Sequence, residues 1–361
     1  MKTMVTTFAA LIASSLGDLS LASEREAMTQ NLVSLKVVYG DNLEYLKNMP
    51  AESIDLIYVD PPFNTGRRQE RKRFHTAESG EHVTEDTYGY NDSYDDLPAF
   101  LEPRMREAYR ILKPTGSLFF HLDYREIHYC KVMLDRVFGR ESFINEIIWA
   151  YDYGARSKNR WSAKHDNILW YAKNPKCYTF NYDDMDRIPY MAPELVGPEK
   201  AARGKTPTDV WWHTIVSPNS KEKTGYATQK PRGILDRIVK IHSKKGDRLL
   251  DFFAGSGTFG ESAYVLGRNC VLVDNNPDAI AVMKRRFLGL NVAYEGCDGI
   301  DAAPPRVCAR KADNSVEEKE GFYQPAAAVP SVTTNDVQKP SAKKRGRPLK
   351  RREDHQMKLF E

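Results

Sequence analysis

The chain has 361 residues, with 53 Lys+Arg against 49 Asp+Glu and a formal net charge of +4. At 41% hydrophobic and 28% charged residues it has the balance of an ordinary globular protein, long enough for one elaborated domain or two. The five cysteines are scattered with no C-x-x-C pair, which excludes a disulfide framework and a zinc ribbon, and no run reaches the ~18 apolar residues of a membrane span.

Residues 1–32 open with a mildly apolar stretch, Met4 to Leu16, broken by Thr and Ser. They are expected to form a disordered N-terminal extension, not a signal peptide, which places the protein in the cytoplasm. Leu35 to Tyr39 reads as a strand ending at Gly40-Asp41, and a helix follows through Leu43–Leu46. Ile54 to Val59 is a near-continuous apolar run, the pattern of a strand buried on both faces of a parallel sheet. Residues 64–94 are polar, charged and aperiodic, and predict a long loop. Helical spacing runs from Leu97 to Leu112 and closes at Lys113-Pro114-Thr115-Gly116, before a strand at Ser117–Leu122. A helix over Arg125–Phe138 stops at Gly139. Two strands, Ile144–Trp149 and Asn167–Tyr171, flank a basic segment, and residues 174–222 carry many Pro, Tyr and Trp with little periodicity. Alternation then resumes with helix Ile234–Ile241, strand Arg248–Phe252, helix Thr258–Leu266, strand Asn269–Val273 and helix Ala279–Leu288. Strands alternating with helices predict a parallel sheet covered on both sides. After Gly299 the composition turns to Ala, Pro, Lys and Glu, and disorder is expected.

Two motifs sit at the ends of predicted strands. The first is Asp60-Pro61-Pro62-Phe63, a carboxylate followed by a rigid diproline and an aromatic. The second is Asp251-Phe252-Phe253-Ala254-Gly255-Ser256-Gly257-Thr258, a strand-to-helix turn. Its glycines permit close backbone approach to a ligand at a helix N-terminus, although such turns also occur without one. Val271-Leu272-Val273 ends in Asp274, placed as an acid that accepts hydrogen bonds from a ribose diol. That spacing also suits NAD. The loop is read here as a two-glycine turn and not as the three-glycine dinucleotide fingerprint.

With Thr228-Gln229-Lys230-Pro231 between them, these motifs resemble those of the amino-group DNA methyltransferases. The catalytic motif precedes the cofactor motif, which is the permuted order of the family's β class, with similarity to type II and type III modification enzymes. The resemblance spans roughly residues 33–295. It implies a permuted Rossmann-like α/β fold that binds S-adenosylmethionine without a metal and methylates N6 of adenine in duplex DNA by base flipping. Expected catalytic residues are Asp60, Pro61, Pro62 and Phe63. Expected cofactor residues are Asp41, Lys230, Asp251, Phe253, Gly255, Gly257 and Asp274; for Asp41 a plain strand-ending turn reads equally well. The expected parts are a catalytic half (33–173), a target-recognition region (174–222), a cofactor half (223–299) and a tail (300–361). N4-cytosine methylation, an RNA amino-methyltransferase and a catalytically dead DNA-binding regulator are the alternatives.

The chemistry accounts for each residue type in the first motif. An exocyclic amine is a poor nucleophile because its lone pair is delocalised into the ring. Acceptors that hold its two N–H groups favour a pyramidal nitrogen, and Asp60 and the Pro61 carbonyl can supply them. Phe63 offers a flat face for the unstacked base. His121 and Asp123, at the end of the next strand, can line the same pocket or serve as satisfied strand-end polar groups.

From Asp301 onward the tail holds 13 Lys+Arg against 9 Asp+Glu, so the first 300 residues are neutral overall. DNA contact in the core must therefore come from local patches. Arg67, Arg68, Arg71, Lys72 and Arg73 cluster just after the catalytic motif and are expected to meet phosphates. Arg156, Lys158, Arg160, Trp161 and Lys164 form a second group. In the tail, Arg345-Gly346-Arg347-Pro348 resembles an AT-hook, and reads equally as an unspecific basic tail. Duplex DNA, a cognate restriction endonuclease and a second copy of the chain are the partners that the resemblance brings into view.

Overall fold

The computed structural model describes residues 33–76, 82–217 and 220–303. The expected N-terminal extension, and the tail with Arg345 and Arg347, lie outside the described residues. In chain order the strands are β1 (Leu35–Tyr39), β2 (Ile54–Val59), β3 (Arg67–Thr76), β4 (His82–Asp92), β5 (Leu112–Leu122), β6 (Phe143–Ala150), β7 (His165–Ala172), β8 (Val210–Trp212), β9 (Arg248–Asp251), β10 (Asn269–Asp274) and β11 (Val292–Glu295). The helices are α1 (Asn42–Lys47), α2 (Leu97–Ile111), α3 (Ile127–Phe138), α4 (Pro198–Arg203), α5 (Arg232–His242), α6 (Thr258–Val265) and α7 (Pro277–Arg286).

Nine strands form one sheet in the order β11-β1-β10-β9-β2-β5-β7-β6-β8. Neighbours from β11 to β5 are parallel, and β7 runs antiparallel between β5 and β6. The order explains the continuous apolar run of β2, which lies between β9 and β5 and is covered on both faces. Leu56 and Tyr58 pack towards α5, α6 and α7, while Ile57 and Val59 pack towards α1, α2 and α3. Each such fully buried aliphatic side chain contributes about 1.5–3 kcal/mol. The covering helices are amphipathic to match, and α5 buries Ile234, Leu235, Ile238, Val239 and Ile241 at helical spacing. No helix among the described residues is long and apolar enough to cross a membrane.

The topology also positions a site. From β9 the chain moves outward to β10, and from β2 it moves outward the other way to β5. The crevice at the carboxyl ends of β9 and β2 is therefore a switch point, where ligands of doubly wound sheets collect. Leu56 and Ile57 pair with Leu249 and Leu250. Asp60 and Asp251, remote in sequence, thus emerge at the same sheet end.

Three sequence expectations are corrected. Residues 64–94 are not one loop: β3 and β4 pair as an antiparallel hairpin, Arg67 opposite Asp92, with an irregularity at Lys72/Arg73. This ribbon pairs only with itself, so its strands need no apolar alternation to mark them. Lys113–Gly116 are not a turn separate from the strand but lie inside β5, as an irregularity between Leu112, which pairs with Ile54, and Ser117, which pairs with Leu56. Finally, Gly260 adds a third glycine to Gly255 and Gly257, completing the G-x-G-x-x-G spacing. A Cβ there would sit 2.4 Å from Leu272 Cδ1, so this glycine lets α6 lie close on β10. The short strands β8 and β11 carried no sequence signal.

Candidate active site at the switch point

A cavity of about 310 Å³ opens at the switch point. Asp41, Asp60, Pro62, Lys230, Asp251, Phe253, Gly255 and Asp274 all line it. The topology therefore gathers most of the residues that the sequence singled out. Gly257, Pro61 and Phe63 are not part of the lining. Pro61 is buried behind it, and Phe63 lies 4.7 Å beneath the Lys230 ammonium.

Asp60 is the centre of the charged end. Lys230 Nζ, 170 positions away in sequence, donates to its Oδ2 at 2.5 Å. Its Oδ1 is buried and has no hydrogen-bond partner among the described residues. That acceptor lies 3.9 Å from His121 Nδ1. The chain leaving Phe63 is pinned in place: Asn64 adopts φ 54°, and Asp92 accepts its backbone N–H at 2.7 Å and the Thr65 hydroxyl at 2.5 Å. Asp92 is also where β4 ends, so the hairpin is fastened directly behind the Asp-Pro-Pro-Phe turn.

At the other end, Gly255 donates to Asp274 Oδ2 at 2.7 Å, and Asn276 N–H to Oδ1 at 2.9 Å. Burial pushes the Asp274 carboxyl up to about 6, against the pull of the Asn276, Gly255 and Asn275 N–H groups. Asp251 is pushed up still further by burial; its Oδ1 accepts the Phe253 N–H at 3.0 Å and closes the turn. Gly255 has φ +50°, and a Cβ there would meet the Tyr226 ring at 3.3 Å. Gly257 acts differently: at φ +75° its missing Cβ makes room for Met283 and Phe287 behind the loop.

Asp41 caps α1 by accepting the Glu44 N–H at 3.1 Å and lies 3.4 Å from the Arg104 guanidinium. Sequence reasoning missed Asn42, Tyr94, Phe100 and Arg104 on this wall. Arg104 donates to Asn42 Oδ1 at 2.6 Å and sits 3.8 Å over the Phe100 ring. Asn42 in turn donates to the Phe252 carbonyl at 2.7 Å, which joins α1 and α2 to the Gly-rich turn. A signal for Arg104 existed: it is a charged residue inside the buried stripe Leu97, Leu101, Met105, Ala108 of α2.

The expected DNA residues are less complete in the structure. Arg67 is exposed at the start of β3, and Arg68, Arg71, Lys72 and Arg73 follow on the same strand. Between β6 and β7, Trp161 is 99% exposed beside Arg160 and Lys164. With Asp123, Tyr151 and Asp166 these residues line a second cavity, of about 590 Å³. The 174–222 region contributes α4 and β8; β8 extends the main sheet beside β6, with Trp211 opposite Trp149.

Known proteins are similar to this chain in sequence and in fold. Type II methyltransferase M.HpaI of Haemophilus parainfluenzae is 31% identical over 285 residues, covering 79% of this chain and 83% of that protein. DNA adenine methyltransferase YhdJ of Escherichia coli (strain K12) is 29% identical over 266 residues, covering 70% and 82%. Among solved structures, the cytosine-N4-specific PvuII DNA methyltransferase superposes with a TM-score of 0.50 at 16% identity, over 73% of this chain and 89% of that one. It shares the fold. The DNA methylase family of the N6/N4 type matches residues 54–285, the stretch from β2 to α7 that holds both motifs. The chain is a member of this N6/N4 DNA methylase family.

Proposed function

We propose that the protein transfers a methyl group from S-adenosylmethionine to N6 of adenine in duplex DNA at a specific short sequence. The observation that carries this reading is Asp60 Oδ1, a buried acceptor without a partner among the described residues, held by Lys230 next to Phe63 and the Gly-rich turn. The residues fit the cofactor. Asp274 presents a carboxylate for a ribose diol, and Asp41, Phe100 and Phe253 form a partly aromatic wall for the purine. Lys230 sits where the cavity meets Asp60. The bound cofactor supplies an electrophilic methyl group.

The chain's own part is to make a poor nucleophile react. Asp60 accepts one amino N–H and the Pro61 carbonyl the other, holding the nitrogen pyramidal and in line. Phe63 stacks on the base, which must leave the duplex to reach it. An Asp at the head of the motif favours adenine, the base named for the Escherichia coli relative. Arg67, Arg68, Arg71, Lys72 and Arg73 on β3 meet the phosphates next to that base. A cytoplasmic setting, a cognate restriction endonuclease and a second copy of the chain as partner belong to the same reading. Nucleoside mass spectrometry of DNA from a methylation-deficient host expressing the protein tests it. N6-methyladenine is expected; N4-methylcytosine overturns the base assignment, and neither product overturns the DNA substrate.

Two further results are expected. Cofactor binding should depend on pH through Asp274, whose carboxylate form accepts the diol. With the group at about 6, affinity at pH 5 falls about tenfold below its plateau above pH 7. The sign for the empty protein is opposite. A carboxyl raised above its unfolded value adds stability below pH ~4, and that contribution is lost as pH rises through about 6. Calorimetric titration at both pH values reads the first effect, and an affinity independent of pH removes Asp274 from the diol site. Separately, Trp161→Ala should weaken duplex binding. Stacking on a base contributes ~1–3 kcal/mol, so fluorescence anisotropy should show a loss of about 5- to 150-fold with cofactor affinity intact. An unchanged DNA affinity takes this loop out of the interface.

A further inference from the structure

A chain of buried polar side chains runs from the Asp60 end of the first cavity to the second cavity. Tyr58 Oη and His121 Nδ1 lie 2.7 Å apart, and His121 Nε2 lies 3.2 Å from Asp166 Oδ2. Tyr151 donates to Asp166 Oδ1 at 3.0 Å. Tyr58 and His121 are 1% and 0% exposed. Asp60 lines the first cavity, whereas Asp166 and Tyr151 line the second. His121 is the only one of these groups that is buried against both carboxylates, Asp60 Oδ1 at 3.9 Å and Asp166 Oδ2 at 3.2 Å.

A core histidine with this many polar neighbours is costly unless each is satisfied. The Asp166 carboxylate can only accept and lies against Nε2, which leaves Nδ1 of the neutral ring to accept from Tyr58 Oη, a phenol that burial keeps protonated. Nε2–H then donates to Asp166. The ring is thereby fixed as the tautomer whose Nδ1 is the basic nitrogen, on the side of Asp60.

We propose that His121, backed by Asp166, receives the proton that the methylated amine must release. The inference rests on the methyltransferase reading above. Methyl transfer would form the N–C bond as the cofactor's S–CH3 bond breaks and its sulfonium becomes a neutral thioether, which leaves the amino nitrogen with one hydrogen too many. Its N–H bond breaks and the proton passes to Asp60 Oδ1. The Asp60 O–H bond then breaks as an N–H bond forms at His121 Nδ1, which lies 3.9 Å away in the empty protein, with the Tyr58 hydroxyl turning its hydrogen away from Nδ1 as it does so. The imidazolium is balanced by the Asp166 carboxylate on Nε2; once the product has left, the Nδ1–H bond breaks and the proton returns through Asp60 to water in the first cavity, which restores the starting tautomer. No oxidant or further reactant is needed. His121 acts through Asp60 and does not touch the base, so it is a positioning and proton-accepting residue. The groups around it that also bear charge or titrate are Asp60, Tyr58 and Asp251 from the β2 and β9 side, Asp166, Tyr151 and Asp123 from the β5–β7 side, and Lys230.

The test is single-turnover methylation of duplex DNA with cofactor and DNA saturating, so that protonation of Asp274 does not enter. Wild-type protein is measured first; if it methylates no DNA, the functional reading fails and not this inference alone. In an active protein, His121→Gln should slow the methyl-transfer step about tenfold or more while cofactor and DNA affinities stay within twofold. The acid limb of the rate–pH profile, where the acceptor must first lose a proton, should flatten. Asp166→Asn retains size and hydrogen bonding but removes the charge, and should give a several-fold loss with a displaced limb. A His121→Gln protein that binds cofactor and keeps both the wild-type rate and profile overturns the proposal. If that variant fails to bind cofactor, an Asp166→Asn protein with wild-type rate and profile overturns it equally.

Discussion

Asp60→Ala is expected to lower methylation by at least about 10³-fold while cofactor affinity changes by no more than a few-fold. Loss of one preorganised group at a reacting centre costs on the order of 10²–10³ in rate, and loss of the proton acceptor adds to it. Asp60 Oδ1 would fill both roles, since it is buried, without a partner among the described residues, and adjacent to His121. The substitution has a structural cost that must be separated from the chemical one. Lys230 is 10% exposed at its side chain and would lose its carboxylate at 2.5 Å. Breaking a buried pair costs ~3–5 kcal/mol, and the 17% exposure of Asp60 places this pair at the lower end. Asp60→Asn, which keeps the size and one acceptor, is therefore the companion variant. Single-turnover assays on folded, cofactor-binding protein should show both variants impaired. An Asp60→Asn protein with wild-type turnover would remove proton acceptance from the role of Asp60 and leave only hydrogen bonding.

The two motifs were legible in the sequence because each joins a buried strand to a turn of restricted chemistry. Ile54–Val59 admits no charge after Asp55 until Asp60, and Arg248–Asp251 leads directly into glycines. Either turn alone can occur without a ligand; what joins them into one site is the register Leu56–Leu249, which places the two strand ends together. Other parts were hidden for physical reasons. Arg104 stands in the buried stripe of α2, but its reach into the cavity is fixed only by the packing of α2 on α1 and the sheet. The hairpin β3–β4 pairs with itself, so hydrophobic periodicity could not announce it. His121 was read as one of two interchangeable strand-end polar residues. The structure separates them: His121 is buried between Asp60 and Asp166, while Asp123 is paired with Arg125 at the second cavity. Gly257 was placed with the ligand contacts because it stands in the Gly-rich loop, yet the backbone turns it towards α7.

That last distinction makes a strong prediction about stability. Gly257→Ala should destabilise the protein by about 2–5 kcal/mol. A non-glycine residue in the left-handed region costs roughly 1–2 kcal/mol, and overpacking a tight core position adds roughly 1–3. Both apply here: φ is +75°, and the new Cβ would stand 2.7 Å from Met283 Cγ and 3.0 Å from Phe287 Cζ. Met283 can shift, so the lower part of the range is reached if its side chain finds another rotamer. Gly255→Ala is the contrasting variant. Its φ of +50° is nearer the region that alanine tolerates, and its Cβ would press on the edge of Tyr226 at 3.3 Å, on the cavity side. It should lose less stability and more cofactor affinity. Chemical denaturation and calorimetric titration of the two proteins separate the roles. A Gly257→Ala protein as stable as wild type, with cofactor affinity reduced more than in Gly255→Ala, would reverse the assignment and return Gly257 to the ligand-binding face of the loop.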